Sequence, residues 1–340
     1  MKRIKTVDSR RWTVDGKALI GQLLTLALFF LPFTLRSQTT YNFSQINYNS
    51  LLINPAYTGN TGATSFQASY RGIIGAAGTG LPRRFNFTLH APFKNNDRVG
   101  WGGMMEVYRI GQRTDLSLQP SFAYQIDLGD NQRLAIGAQT RFTYYGFDNN
   151  FQVIGGGDDP QDVFGSTIGV GVFYYKDRFF AGLGATNVAQ LTFNEVDASN
   201  PAFLGENPIY LHGGFWFQPL ELMKVKLAGL VNRTSFYIYP NPPGNIDLPT
   251  KLDIAANINA IFSDQYWFGF SLGRVTNDQA MSDYNYFNLS AVYTFNLARA
   301  SYTYQAILDN QFSTALNTTH VIMLEFDIIN GGEEKVIRYY

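Results

Sequence analysis

The 340-residue chain contains no cysteine. Disulfides, thiolate metal sites and thiol catalysis are excluded with it, as is a lipoprotein anchor, which is attached through a cysteine at the cleavage site. Charge is scarce too: Asp, Glu, Lys and Arg make up 15% of the residues, against about 25% in an average soluble domain. The formal net charge is +0 and no basic tract follows the N-terminus, so nucleic acid is not an expected partner. Histidine occurs only as His90, His212 and His320, and nothing near them has metal-ligand spacing. After residue 37 there is no long apolar run, and the mean hydropathy is −0.12. That argues against a bundle of membrane-spanning helices.

What is abundant is aromatic residues, at 16%, and glycine, at 32 residues. They sit in about fourteen stretches that alternate apolar and polar residues. Leu116, Leu118, Phe122, Tyr124, Ile126 and Leu128 hold one parity, while Ser117, Gln119, Ser121, Gln125 and Asp127 hold the other. Successive strand side chains point to opposite faces, so each such stretch has one face for lipid and one for a polar interior. The same parity recurs in Phe85–Phe87–Leu89, in Ile254–Ala256–Ile258 and in Ile322–Leu324–Phe326. On the sixth stretch Gly169 and Gly171 lie opposite Ile168, Val170 and Val172.

The breaks alternate in length. Asn95–Asp97, Gly129–Asn131, Lys176–Arg178, Ser263–Asp264 and Asn296–Leu297 read as short turns. Segments 73–82, 148–164, 190–207, 234–248, 274–283 and 308–317 read as long loops, with only 109–112 shorter than its place requires. The expected fold is therefore all-β: a transmembrane antiparallel β-barrel of about fourteen strands in a Gram-negative outer membrane, with short periplasmic turns and longer extracellular loops. Trp101, Trp216 and Trp267 are expected in the periplasmic aromatic girdle, and Tyr108, Tyr144, Tyr284 and Tyr286 in the outer one.

A charged leader, Lys2 to Lys17, precedes an apolar run from Ala18 to Leu35, with Pro32 and Ser37 near its end. This reads as a signal peptide over 1–37, the alternative being a retained membrane helix. The remaining organisation is expected to be a periplasmic or plug-like segment at 38–62, the barrel at 63–328 and a periplasmic tail at 329–340.

Candidate sites are few. The interior parity carries Gln119, Gln139, Arg141, Asn257, Asn259 and Glu325, which suits either a water-filled channel or a hydrogen-bonded, plugged interior. Gly75, Gly78 and Gly80 do not open a helix and fail as a nucleotide loop. Gly155–Asp159 with Asp162 offers oxygen ligands for Ca²⁺ without the spacing of a calcium loop, and a solvated external loop is the simpler reading. No catalytic motif and no cofactor site is recognised.

Ahead of the first strand runs Ser50-Leu51-Leu52-Ile53-Asn54-Pro55-Ala56-Tyr57-Thr58-Gly59, and at the far end Thr319-His320-Val321-Ile322-Met323-Leu324-Glu325-Phe326. With Tyr70-Arg71, these resemble the PorP/SprF family of Bacteroidetes outer-membrane proteins, whose mature chains open on an Asn-Pro-Ala-Tyr-x-Gly stretch. The family-motif residues here are Asn54, Pro55, Ala56, Tyr57, Gly59 and His320. The closing motif departs from the family's more usual Gly-Ser-His-Glu, with Thr318-Thr319-His320-Val321 in its place. The resemblance implies a non-enzymatic part in type IX secretion and, in some relatives, gliding motility. Its partners would be periplasmic ring and peptidoglycan-associated proteins, the translocon, secreted adhesin-like cargo and outer-membrane lipid. The alternative is a porin-like or hydrophobic-solute transport barrel. Physically, Pro55 fixes φ, restricts Asn54 to extended backbone, and is followed by Gly59, which permits a sharp turn. Such a turn either rests in the periplasmic mouth or simply leads into the wall.

Overall fold

In the computed structural model, the residues described are 48–73, 80–94, 96–147, 162–192, 203–239, 250–278, 283–308 and 318–328. The expected leader at 1–37, the Gly155–Asp159 loop, Gly75 and Gly78, and the tail at 329–340 lie outside them. Fourteen strands alternate up and down. They are β1 Thr64–Gly72, β2 Arg83–Phe93, β3 Asn96–Ile110, β4 Arg113–Gly129, β5 Gln132–Phe147, β6 Val163–Lys176 and β7 Phe179–Thr192, followed by β8 Phe203–Leu220, β9 Met223–Tyr239, β10 Thr250–Phe262, β11 Tyr266–Asn277, β12 Tyr284–Phe295, β13 Ala298–Ile307 and β14 Thr318–Ile328. Each pairs antiparallel with its neighbours, and β1 closes on β14 with Phe66 opposite Phe326 and Ala68 opposite Leu324. Closure gives every strand two hydrogen-bonded neighbours, as a lipid-embedded sheet requires because no water is present to satisfy free backbone groups.

The parity holds in three dimensions. Leu118, Phe122, Phe268 and Leu272 are more than half exposed on the outer face, whereas Ser117, Gln119, Ser121 and Ser271 are buried on the inner one. The short turns are tight hairpins with left-handed residues, Asp130 (φ 47°) with Asn131 (φ 58°) and Ser263 (φ 49°) with Asp264 (φ 57°). Asn and Asp tolerate this conformation, and it matches the twist of the flanking strands. At the opposite end several strands project further than expected: β8 begins at Phe203 and β9 ends at Tyr239.

Five aromatic placements are corrected. Trp267 is 2% exposed and packs inside with Ile261 and Val292, and Trp216 rests against the same cluster. Tyr108 and Tyr286 are likewise buried inward, and Tyr284, on the same parity as Tyr286, packs against the same inner cluster. Trp267 stands between the outward Tyr266 and Phe268, so its own parity directs it inward. Position along a strand selects the girdle level, but only parity selects the face. Trp101 and Tyr144 do face outward.

Candidate functional site

Fourteen strands enclose more space than side chains alone fill: eight-stranded barrels are packed by their own side chains, whereas porins of about 16–18 strands hold a water channel. Here the N-terminal segment enters the lumen. Asn49 and Asn54 each cap a short 3-10 turn, Ser50–Leu52 and Pro55–Tyr57, and Asn54 accepts from the Ala56 N–H at 3.0 Å. Pro55 at the first helical position supplies a compatible φ and leaves no orphan donor.

The segment crosses the wall strand by strand. Ile53 lies at β7 beside Gly184, and Asn54 lies at β6, donating from Nδ2 to the Val172 carbonyl at 2.9 Å. Ala56 meets Gly137 on β5; Thr58 Oγ1 reaches Ser121 on β4 at 2.9 Å and donates to the Pro55 carbonyl at 2.7 Å. Gly59 donates its N–H to His90 Nδ1 on β2 at 3.2 Å and accepts from Gln125 Nε2 at 3.3 Å. Alternate residues 54, 56 and 58 thus meet successive strands. Two 3-10 residues rise about 4 Å, close to the roughly 4.8 Å between neighbouring strands. Gly59 has φ +71°, and a Cβ there would stand 2.5 Å from the Gly100 Cα, so both the conformation and the space require glycine.

The segment also supplies a core. Leu51, Ala56 and Tyr57 pack with Ala135, Phe173, Tyr175 and Phe180, and Leu52 and Ile53 pack with Met104, Tyr210, Leu230 and Tyr286. Tyr57 meets Phe173 edge-on, with centroids 5.5 Å apart at 87°. Burying each large apolar side chain contributes about 1.5–3 kcal/mol. Further along, Tyr48 donates to Ser290 Oγ at 3.0 Å, and burial raises its phenol to about 12 against the opposing effect of that bond.

The polar interior residues are arranged in cross-strand sets. Gln119 accepts from Arg141 Nε at 2.8 Å and donates to Gln139 at 2.9 Å, and Arg141 lies 3.8 Å from Glu106. Asn257 donates to Ser271 Oγ at 2.8 Å and accepts from Asn259. Glu325 pairs with Arg299, which also bonds Asp327 at 3.2 Å. Of the histidines, His90 touches the segment, His212 stacks on Phe173 at 5.7 Å, and His320 faces outward with Nδ1 2.7 Å from the Tyr302 hydroxyl. The structure therefore separates His320 from Asn54–Gly59. Asp162, considered above as a Ca²⁺ ligand, accepts from the Phe147 N–H and the Tyr144 hydroxyl. Among the described residues no group of His, Asp or Glu converges as a metal site.

The inward apolar patch on β6–β10 and the segment's route have no counterpart in the sequence-based expectations. The inward Gly169 and Gly171 beside the Asn54–Gly59 motif were the available signal.

The family described as type IX secretion system membrane protein PorP/SprF matches residues 35–326. The chain belongs to this family. As a PorP/SprF protein it is a membrane component of the type IX secretion system, located in the outer membrane. Among solved structures it is similar to the CymD monoaromatic hydrocarbon channel (TM-score 0.51, 11% identity, covering 82% of this chain and 92% of that one). It is also similar to a deltaS2 mutant of the TodX monoaromatic hydrocarbon channel (TM-score 0.50, 10% identity, 82% and 93%). At these identities the likeness concerns the fold. Comparison with curated proteins gives no match.

Proposed function

We propose that this barrel is a non-enzymatic accessory of type IX secretion that assists the surface delivery or attachment of particular cargo, adhesins among them. The observation that carries this reading is the family match across residues 35–326. The seating of Asn54–Gly59 in the lumen supports a barrel that acts through its two ends. The long loops would meet secreted cargo. The short turns and the 329–340 tail would meet periplasmic ring and peptidoglycan-associated proteins and the translocon. Residues 1–37 would be removed on export, leaving 38–62 to lead into the barrel.

A solute-transport role, suggested by the channels it resembles in fold, requires the luminal segment to leave its contacts. The test is deletion of the gene followed by surface proteomics. Loss of display of one or a few type IX cargo proteins, restored by the wild-type gene, is expected. Unchanged display of every such cargo would sink the proposal.

A further inference from the structure

The wall strands facing the N-terminal segment carry glycine where it passes. A Cβ on Gly100 would stand 2.0 Å from the Thr58 carbonyl oxygen, on Gly137 2.3 Å from the Ala56 nitrogen, on Gly171 2.0 Å from Asn54 Oδ1, and on Gly184 2.2 Å from the Ile53 carbonyl oxygen. These four lie on β3, β5, β6 and β7, each four or five residues from the short-turn end of its strand. They form a band around one side of the inner wall. Real Cβ atoms do not approach other atoms this closely, so the band leaves room for the segment's backbone at Gly100, Gly137 and Gly184 and for the Asn54 side chain at Gly171.

Between the glycines stand specific partners. The Val172 carbonyl takes the Asn54 amide, Ser121 meets Thr58, and His90 takes the Gly59 N–H. Phe173 receives the Tyr57 ring. This combination of backbone clearance, spaced hydrogen-bond partners and one aromatic socket is what a peptide-binding groove provides.

We infer that the inner wall of β2–β7 is a peptide-recognition groove for an Asn-Pro-Ala-Tyr-x-Gly sequence in its 3-10 turn, and that the chain's own residues 48–60 occupy it as a seal. The wall is thus a latent pore held shut by a ligand carried in cis. This goes beyond the secretion role and is tested without it.

The test is ion conductance of the purified barrel in a planar bilayer. The wild-type protein is expected to give no stable steps. The G137A/G171A/G184A variant, checked for barrel formation by its heat-dependent mobility on SDS gels, is expected to give steady conductance. Gly229→Ala is the control, because a Cβ there meets nothing nearer than 3.8 Å; it should stay silent. A folded triple variant that is also silent, or a wild-type barrel that conducts equally, overturns the proposal.

If the triple variant does not form a barrel, a chain lacking residues 48–60 is refolded with and without a synthetic peptide of those residues. Supporting outcomes are a conducting barrel that the peptide closes, or a refolding yield that the peptide restores. Replacing Asn54 by Ala in the peptide should weaken either effect about ten-fold, since it removes the hydrogen bond to the Val172 carbonyl and the cap on the Ala56 N–H. A peptide without effect on conductance and on yield overturns the proposal as well. Neither measurement involves cargo, so its failure is distinguishable from failure of the secretion role.

Discussion

The two sides of the inner wall solve the same packing problem with opposite means. On β10–β14, with β1, long polar side chains reach across strands and satisfy one another: Asn257 with Ser271, Gln67 with Glu325, and Arg299 with Glu325 and Asp327. Glycine on that side makes room for neighbouring side chains, as at Gly269, where a Cβ would meet Ser290 Oγ at 2.2 Å and Asn259 Oδ1 at 2.3 Å. At Gly100, Gly137 and Gly184, on β3, β5 and β7, glycine makes room for an incoming backbone instead. A side chain can rotate away from an added methyl group, but a backbone pinned on several strands cannot. Equal clash distances therefore carry unequal consequences.

The largest expected effect lies on the polar side. Arg299→Ala leaves Glu325, 5% exposed, and Asp327 without their cation. Breaking a buried pair from one partner costs about 3–5 kcal/mol. The temperature at which the barrel loses its compact SDS-gel mobility should fall clearly; no shift would mean that this side is not held by its ion cluster. The next effect tests the contrast directly. Gly100→Ala drives a methyl group into the Thr58 carbonyl and Gly59 Cα and should destabilise by about 1–3 kcal/mol, the usual range for overpacking. Gly269→Ala, with a clash of similar depth against side chains, should cost about 1 kcal/mol or less. Equal losses in the two variants would erase the distinction between a wall that accepts backbone and one that accepts side chains.

The architecture was legible in the sequence because a period of two is a local property. Fourteen alternating stretches and the left-handed turn residues appear within windows of ten residues, and the strands follow them. The inward positions of Gln119, Gln139, Asn257 and Asn259 carry the same parity. What the interior contains was not legible, because parity names a face and not what that face meets. Phe173, Leu230 and Ile261 are inward and apolar because they pack against residues 48–57, far away in the chain. The level of Trp267 along its strand suggests the lipid girdle, although its parity points inward. Asn54–Gly59 reads equally well as a mouth element or as an ordinary turn, since its partners lie on six strands that no local pattern joins to it. The inward glycines were the nearest clue, and they become informative only together with the backbone that fills the space they leave.

The smallest expected effect concerns the other end of the family motif, on the outer face. His320 accepts or donates a single hydrogen bond with Tyr302 at 2.7 Å, and its ring centroid lies 5.6 Å from that of Tyr304. His320→Phe keeps the ring contact and loses a hydrogen bond at an exposed position, where substitutions usually move stability by about 0.5 kcal/mol or less. The SDS-gel transition of this variant should therefore coincide with that of the wild type. A shift as large as that of Gly100→Ala would show that the outer face matters to the fold no less than the inner groove does. Coincident transitions would instead leave His320 and its two tyrosines as a surface whose role lies in what it touches outside the barrel, whereas Asn54–Gly59 acts through what it touches within.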